Sequence, residues 1–265
     1  MVASGLRSSE LHVLGIRSPV IETGAVGAPE AIVFVHGNPG SRLDWEDLAG
    51  RVGGFARAVA FDLPGFGEAD KPSGFDYSVP GFARFIAAAL ADLGVERAHL
   101  VAHDFGGSFG LAWAAAHPQA FRSLLLTNAP PGAGYRWYLL AKVWKTPLAG
   151  ELLHRTLTRR FFDLNVTRGR GRPLPRAMVD RMWRDYDGGT RRTVLRLYRA
   201  SDARRLVPAP ASLFRELDRP TLIVWGRRDP YIPERFCRAH RLAFPKARIE
   251  YLQMIAEEIV RKVPS

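Results

Sequence analysis

A carboxylate occupies a sharp turn of this 265-residue chain, between an apolar run and an Ala-rich segment. The run 98–102 predicts a buried strand, and residues 108–117 predict a helix. Gly106 and Gly107 would let the helix backbone approach the turn closely. Asp104 could serve there as a helix cap. The position also suits a nucleophile that attacks an electrophilic carbon and forms an alkyl ester.

A second acid, Asp229, follows an apolar run over 221–225 that predicts a strand. An acid at such a place could hold an imidazole in one tautomer, although Asp before proline is also common in turns. The last predicted strand, 247–252, runs through Gln253 into an apolar and acidic stretch, and no histidine follows His240. We place His240 in a helix before that strand and expect it to face solvent.

Two further motifs follow predicted strands: HGNPGS begins at His36, and DLPGFGEADKP begins at Asp62. Together with HDFGG around Asp104, they resemble the haloalkane dehalogenase and epoxide hydrolase branch of the α/β-hydrolases. Members of that branch carry an Asp nucleophile at an elbow between a strand and a helix. The resemblance spans roughly residues 10–130 and 213–252.

The resemblance implies the α/β-hydrolase fold, an α/β architecture with a mostly parallel sheet flanked by helices and an inserted helical cap. Alternating strands and helices agree with it, because such chains form parallel sheets covered on both faces. The expected division is a first core part over 1–130, the cap over 131–212 and a second core part over 213–265. The other predicted elements are a hairpin over 11–14 and 19–23, strands over 31–35, 59–61 and 121–127, a core helix over 79–93, cap helices over 151–162, 176–186 and 191–200, and a helix near 233–242.

By the same resemblance, Asp104 would be the nucleophile and Asp229 the acid of the catalytic triad. The backbone amide of Phe105 and the segment around Asn38 would stabilise the oxyanion or the leaving group. Haloalkane dehalogenases hold the halide with an Asn at this place and with a Trp directly after the nucleophile. Asn38 matches, but Phe105 has no N–H to donate. Three cap tryptophans could substitute: Trp137, Trp144 and Trp183.

Epoxide hydrolases share the segment from His36 to Pro39 and use cap tyrosines to protonate the ring oxygen. Each tyrosine taken alone is also explained by packing. The candidate tyrosines are Tyr135, Tyr138, Tyr186 and Tyr198. The residues expected to line or flank a substrate pocket are His36, Pro39, His103, Tyr135, Trp137, Tyr138 and Tyr186, with His36 and His103 in structural roles.

In the relatives the catalytic histidine stands on a loop after the final strand, and that loop looks deleted here. Attack by Asp104 needs no base, but hydrolysis of the resulting ester does, because a water must be deprotonated. The chain is therefore expected to stall as a covalent adduct unless His36, His103 or His154 accepts the proton.

The predicted function is a hydrolase of small apolar molecules that acts through an Asp104 ester, of the haloalkane dehalogenase or epoxide hydrolase type. The alternative is a non-catalytic relative that binds a small ligand or a partner in the same pocket. The absent histidine favours the alternative, whereas retention of Asp104, Asp229 and Asn38 favours the hydrolase. An acyl-transferring esterase is disfavoured, because the elbow carries neither Ser nor Cys.

The amino-acid composition limits which other classes of protein the chain can belong to. With 47% apolar residues the chain can bury a sizeable core. A single cysteine, Cys237, excludes an internal disulfide and suggests a cytoplasmic location. No apolar run approaches the ~20 residues that span a bilayer, and the N-terminus is too polar for a signal peptide. No cofactor is expected, since the Gly-rich segments lack dinucleotide-site spacing and no His or Cys cluster suggests a metal.

The formal net charge of +12 is unevenly placed. Residues 136–205 contain 18 Lys or Arg against 6 Asp or Glu, which equals the whole excess. Such a surface could attract an anionic substrate, nucleic acid or an acidic membrane. A solvated, Arg-rich helical surface is the favoured interpretation, and no nucleic-acid-binding motif is present. The expected partner is a small-molecule substrate, and the sequence carries no indication of oligomeric state.

Overall fold

The computed structural model describes residues 5–131, 134–167, 174–207 and 209–252. Within these residues the strands form one 8-stranded sheet with the order β1-β2-β4-β3-β5-β6-β7-β8. The strands are β1 Arg7–Val13, β2 Ile16–Thr23, β3 Glu30–Val35, β4 Ala58–Phe61, β5 Arg97–His103, β6 Phe121–Thr127, β7 Thr221–Gly226 and β8 Arg248–Leu252.

The sheet is mostly parallel, as the alternating pattern predicts. Strand β2 pairs antiparallel with β1 and β4, and every other pairing is parallel. The predicted N-terminal hairpin is confirmed. Leu14 and Gly15 form its turn with φ of 53° and 72°, and two positive φ values give the twist that suits a two-residue hairpin.

Helices cover both faces of the sheet. The buried apolar side chains form two clusters. The smaller cluster includes residues of α1 (Glu46–Val52), and the larger includes residues of α2 (Val79–Asp92), α3 (Phe105–Ala116) and the helices between β6 and β7. Apolar β-branched strands buried on both faces explain why the sequence forms a parallel sheet here. The helices are α1 Glu46–Val52, α2 Val79–Asp92, α3 Phe105–Ala116, α4 Leu139–Lys145, α5 Ala149–Arg155, α6 Arg159–Thr167, α7 Arg176–Asp185, α8 Gly188–Ala200 and α9 Ala211–Leu217.

Helices α4 to α8 lie between β6 and β7 in the chain, and we call them the cap helices. The single helix predicted over 151–162 is wrong, because the structure has α5 and α6 with a break between them. Thr158 causes the new start, since its Oγ1 accepts a hydrogen bond from the amide of Phe161 at 3.3 Å. Within the described ranges no helix is both long and apolar enough to cross a membrane.

The α-helix predicted near 233–242 is also wrong. The structure has two short 3-10 helices there, Glu234–Phe236 and Arg238–Leu242. This tighter winding turns His240 inward, where it is 3% exposed and its Nε2 lies 2.9 Å from the carbonyl oxygen of Ala129. The expectation that His240 faces solvent is therefore corrected.

Candidate active site

Asp104 lies on the turn between β5 and α3 with φ 51° and ψ −129°. Positive φ is costly for a residue with a Cβ, so close packing must hold this backbone in place. A Cβ added to Gly37 would lie 2.5 Å from the Cβ of Asp104. One added to Gly106 would lie 2.4 Å from the carbonyl oxygen of Val35. Both glycines are therefore needed for the strand, the loop and the helix to meet at Asp104.

The Asp104 carboxylate is held by two backbone amides. Its Oδ2 accepts a hydrogen bond from Asn38 N at 2.9 Å, and the amide of Phe105 also donates to the carboxylate. Burial raises the pKa of Asp104 from 3.8 to about 7; the two amides oppose this shift, and the charge of Asp229 adds to it. Near neutral pH the group therefore exchanges readily between carboxylic acid and carboxylate.

A cavity of about 170 Å³ lies above Asp104. Its lining is mostly apolar, and such a pocket with a few polar groups suits a small organic ligand. The core contributes Asn38, Pro39, His103, Asp104, Phe105, Asn128, Pro130, Asp229, Pro230, Tyr231 and Ile232. The segment around the cap helices contributes Tyr135, Tyr138, Leu140, Trp144, Leu153, His154, Leu157, Phe161, Phe162, Asn165, Val166, Met182, Tyr186 and Tyr198.

Asp229 is a buried acid fixed by three donors. Its Oδ1 accepts from the amides of Tyr231 at 2.7 Å and Ile232 at 3.0 Å, and its Oδ2 accepts from Asn128 Nδ2 at 2.8 Å. The Asn128 side chain also accepts from the amide of Gly226 at 2.8 Å. Sequence reasoning missed Asn128, although an Asn at the end of β6, just where the strand pattern breaks, was an available signal.

The four histidines considered in the sequence analysis can all be placed relative to the cavity. His103 and His154 line it, whereas His36 does not. Instead His36 Nε2 accepts from the amide of Leu63 at 2.9 Å, and its Nδ1 lies 2.9 Å from Gly37 O. His36 therefore joins two loops in a structural role rather than contacting a substrate. His240 points away to Ala129, as described above.

His154 is the cap imidazole at the cavity. Its Nε2 lies 3.2 Å from the hydroxyl oxygen of Tyr186, and burial lowers its pKa to about 4. It is therefore a neutral but weak base at pH 7. The expectation that no catalytic histidine follows the last strand concerns residues 253–265, which lie outside the described residues.

The four candidate tyrosines all line the cavity. The hydroxyl oxygens of Tyr138 and Tyr198 are 2.6 Å apart. Burial raises the pKa of both phenols well above 10, and the charge of Asp104 raises them further. The other two hydroxyls have different partners, Tyr231 O for Tyr135 and His154 for Tyr186. Tyr138 and Tyr198 therefore form a protonated pair of donors at the cavity.

The three candidate tryptophans differ in position. Trp137 stacks on Phe105 with 6.0 Å between ring centroids and does not line the cavity, contrary to expectation. Trp183 packs against Phe162 outside the lining. Trp144 does line the cavity, and its buried Nε1 has no hydrogen-bond partner among the described residues. It is the one of the three that both lines the cavity and carries a buried indole N–H without a partner among the described residues.

A metal centre has no support in the part of the chain that the structure describes. There, no group of three or more His, Cys, Asp or Glu side chains could hold an ion. The polar side chains that line the cavity are carboxylates, amides, phenol hydroxyls, imidazoles and an indole.

A parallel sheet with an acid on a strand-to-helix elbow, a second acid after a later strand and helices above the cavity define an α/β-hydrolase. The alpha/beta hydrolase fold family matches residues 30–253. The chain belongs to this family, and its relatives include haloalkane dehalogenases.

Two relatives and one solved structure illustrate what the chain is similar to. A haloalkane dehalogenase of Agrobacterium fabrum is 34% identical over 120 residues, which are 45% of this chain and only 38% of that protein. The mesoderm-specific transcript homolog protein of Bos taurus is 31% identical over 254 residues, 86% of this chain and 73% of that protein. The structure of epoxide hydrolase CorEH has a TM-score of 0.75 at 17% identity and covers 93% of this chain and 90% of its own, a likeness of fold alone.

Proposed function

We propose that this chain is a hydrolase that opens small, apolar epoxides through an alkyl ester on Asp104. One observation carries the proposal: a carboxylate held by two amides shares an apolar cavity with the hydroxyl pair of Tyr138 and Tyr198. The carboxylate is the nucleophile that epoxide opening needs, and the hydroxyl pair supplies the acid. The likeness to epoxide hydrolase CorEH agrees with this choice.

In the first step one oxygen of Asp104 attacks a ring carbon while Oδ2 keeps its hydrogen bond from the Asn38 amide. The new carbon–oxygen bond forms as the ring carbon–oxygen bond breaks. The ring oxygen takes the proton of Tyr138 or Tyr198, and the other hydroxyl stabilises the tyrosinate across 2.6 Å. The mostly apolar cavity favours attack because it leaves the carboxylate poorly solvated.

In the second step a water must cleave the ester, with a base to accept its proton. Asp229 is built to orient that base, since its carboxylate is itself fixed by Asn128 and by two amides. No histidine follows His240 in the sequence. We therefore expect the 265-residue chain to form the ester faster than it hydrolyses it.

A haloalkane dehalogenase is the second candidate, and one specific observation favours it. The indole N–H of Trp144 lacks a partner at the cavity, as does the amide oxygen of Asn38 in its assigned orientation. The two side chains could together hold a departing halide, with the Asn38 amide nitrogen turned toward it. The relative from Agrobacterium fabrum, named a haloalkane dehalogenase, agrees with this alternative.

The remaining functional assignments are also proposals. We infer that residues 131–212 act as a cap over a core formed by 1–130 and 213–265, with the cap controlling substrate entry. We further propose a reducing, cytoplasmic compartment, in keeping with the buried Cys237.

Intact-mass spectrometry of the protein incubated with 1,2-epoxyhexane or 1-bromohexane tests both functions. An epoxide adds its whole mass to Asp104, whereas an alkyl bromide adds only the alkyl group. We expect the epoxide adduct, located on Asp104 by peptide mapping and absent from Asp104→Asn. Tyr198→Phe should slow its formation about hundredfold, while Phe244→Tyr, outside the cavity, serves as the matched aromatic control.

Each outcome decides between the functions. An alkyl-bromide adduct without an epoxide adduct would favour the dehalogenase. Absence of adduct and of product with both compounds would favour the non-catalytic relative. Rapid turnover of the epoxide with no trapped adduct would show that a base within the chain has been overlooked.

A further inference from the structure

The outer side of the cap helices exposes large apolar side chains. Leu139 on α4, Leu148 beside α5, Leu152 on α5 and Leu164 on α6 are between 63% and 82% exposed. Single exposed leucines are common on protein surfaces, but several on adjoining helices indicate a surface that contacts something apolar.

Two of these side chains, Leu139 and Leu164, line a groove that adjoins the active-site cavity. The groove has a volume of about 620 Å³, and Leu139, Val143 and Leu164 line it. Leu140 and Phe161 line both this groove and the cavity above Asp104. The exposed apolar surface therefore adjoins the cavity through walls that the two spaces share.

Cations surround the same surface. Arg136, Lys142, Arg155 and Arg160 are exposed, and none of the four forms an ion pair among the described residues. The two acids of this stretch are already paired, Glu151 with Arg199 and Asp163 with Arg159. Residues 136–167 contain six Lys or Arg against two Asp or Glu. The surface therefore presents free positive charge next to apolar side chains.

That combination distinguishes between the partners that a basic surface could attract. Nucleic acid would use the cations but would leave four exposed leucines in water. A surface that contacts only solvent would not need exposed leucines either. A bilayer that contains anionic lipids uses both, because its headgroups attract cations and its acyl region takes up apolar side chains.

We propose that the cap docks on an anionic lipid surface through a docking face made of Leu139, Leu148, Leu152 and Leu164 with Arg136, Lys142, Arg155 and Arg160. Docking places the groove against the acyl region, so that apolar molecules dissolved in the bilayer enter the cavity without crossing water. The route for substrate depends on the proposed hydrolase, but docking itself does not.

Co-sedimentation of the full 265-residue protein with vesicles tests the docking. Vesicles of phosphatidylcholine with phosphatidylglycerol should bind the protein, and vesicles of phosphatidylcholine alone should bind it far more weakly. Raising the salt concentration should weaken the binding, because the charges are screened. The assay contains no substrate, so its failure is distinguishable from failure of epoxide opening.

Two sets of variants, each with a control, separate the apolar and ionic contributions to vesicle binding. Leu148→Ser with Leu164→Ser should weaken vesicle binding about tenfold or more, whereas Leu242→Ser, at an exposed leucine outside the cap, should leave it unchanged. Lys142→Gln or Arg155→Gln should each weaken binding about fivefold. Arg7→Gln, at an exposed arginine of β1, is the matched control.

Three results would overturn the proposal. The first is equal binding to both vesicle types or to neither. The second is unchanged binding by the leucine variants, which would mean that charge alone acts. The third is that the parent protein is a dimer that binds no vesicles and that the leucine variants are monomers. This result would show that a second copy of the chain covers this face.

Discussion

At the scale of single residues, the chemistry depends on how Asp104 is solvated. Two amide donors favour its ionised form, while burial and the charge of Asp229 oppose ionisation and dominate. The result is a pKa of about 7 rather than 3.8. Such a carboxylate is a better nucleophile than one in water, but only a fraction of it is ionised at neutral pH.

The rate of adduct formation should therefore depend on pH. We expect it to rise about tenfold per pH unit below about pH 6 and to level off above about pH 8, because only the carboxylate attacks. Initial rates of mass gain with the epoxide, measured across this range, provide the check. A rate that does not change with pH would mean that Asp104 is ionised throughout or is not the nucleophile.

The same pKa predicts a stability effect with a definite sign. Because the folded-state pKa is raised, the folded protein binds the proton more tightly, and stability falls as pH rises from about 4 to 7. Asp104→Asn should therefore stabilise the protein at about pH 8, by at most about 4 kcal/mol. The gain should fall to about 0.5 kcal/mol at about pH 4, where the folded state is protonated and the unfolded state is about half protonated.

Thermal unfolding of the variant and the parent protein at the two pH values measures this difference. Asp47→Asn, at an exposed acid in the first turn of α1, is the control and should give no comparable pH-dependent gain. Equal melting temperatures for Asp104→Asn and the parent at the higher pH would contradict the raised pKa.

Some of this site was predictable from sequence and some was not. Asp104, Asn38 and Asp229 stand in local motifs, so their places after strands could be predicted. The bond between Tyr138 and Tyr198 joins residues 60 positions apart on separate segments, and no periodicity encodes it. The prediction for His240 was wrong because its side chain pairs with Ala129, 111 residues away.

At the scale of elements, the elbow is a crowded meeting of backbones. The start of α3 approaches β3 so closely that a methyl group at Gly106 would lie 2.4 Å from Val35 O and 2.5 Å from His36 O. These are backbone atoms in a buried strand and the loop after it, which cannot move aside cheaply. The glycine is therefore a packing requirement and not only a source of chain freedom.

Gly106→Ala should destabilise the protein by about 1–3 kcal/mol, because the new methyl group forces α3 away from the strand. Epoxide adduct formation should also slow, since Asp104 sits on the same turn. The matched control is Gly188→Ala in the first turn of α8, where an added methyl would meet only an Arg192 side-chain atom, at 3.6 Å, outside the backbone of its own helix. That change should be neutral or stabilise by up to about 1 kcal/mol.

Denaturant unfolding of the two variants gives both values. Similar stability for the two alanine variants would contradict the close approach at Gly106. A stable Gly106→Ala protein that has lost adduct formation would instead assign the glycine to positioning the nucleophile.

The sequence predicts whether a segment is a strand or a helix better than it predicts where that strand or helix begins and ends. Apolar strands such as β5 and β7 were predictable because burial on both faces gives them continuous apolar runs. The break before α6 was not, because Thr158 acts as a cap only when the following turn is already formed. The sequence predicts one α-helix where the structure has two 3-10 helices after β7, because α- and 3-10 helices show similar side-chain periods over a few residues.

At the scale of the whole molecule, aromatic rings connect the core to the cap helices. Phe82 stacks on Phe109 with 4.2 Å between ring centroids, and Phe109 contacts Phe105. The ring of Phe105 in turn contacts Tyr198 of α8, with 5.3 Å between ring centroids. Core and cap residues accordingly belong to one buried cluster. This continuity could not be predicted from sequence, because helical periodicity does not give the direction in which the cap faces.

The shared cluster predicts that cap and core unfold together, and that Phe105 couples them. In the parent protein, amides of α3 and α8 should become exchangeable at the same denaturant concentration, as followed by hydrogen exchange and mass spectrometry. Phe105→Ala removes a buried ring at the junction and should cost about 3–5 kcal/mol. Because this loss falls on the contact with Tyr198, α8 should then exchange at a lower denaturant concentration than α3.

Phe214→Ala is the matched control, since Phe214 is 1% exposed and packs against Phe244 away from the cap. It should lower the stability of α3 and α8 equally. If Phe105→Ala also leaves the two helices exchanging together, then the coupling lies in contacts other than the ring. The hydrogen bond from Thr190 Oγ1 on α8 to Gly65 O of the core would be the next to remove, because it joins the same two parts at 3.1 Å.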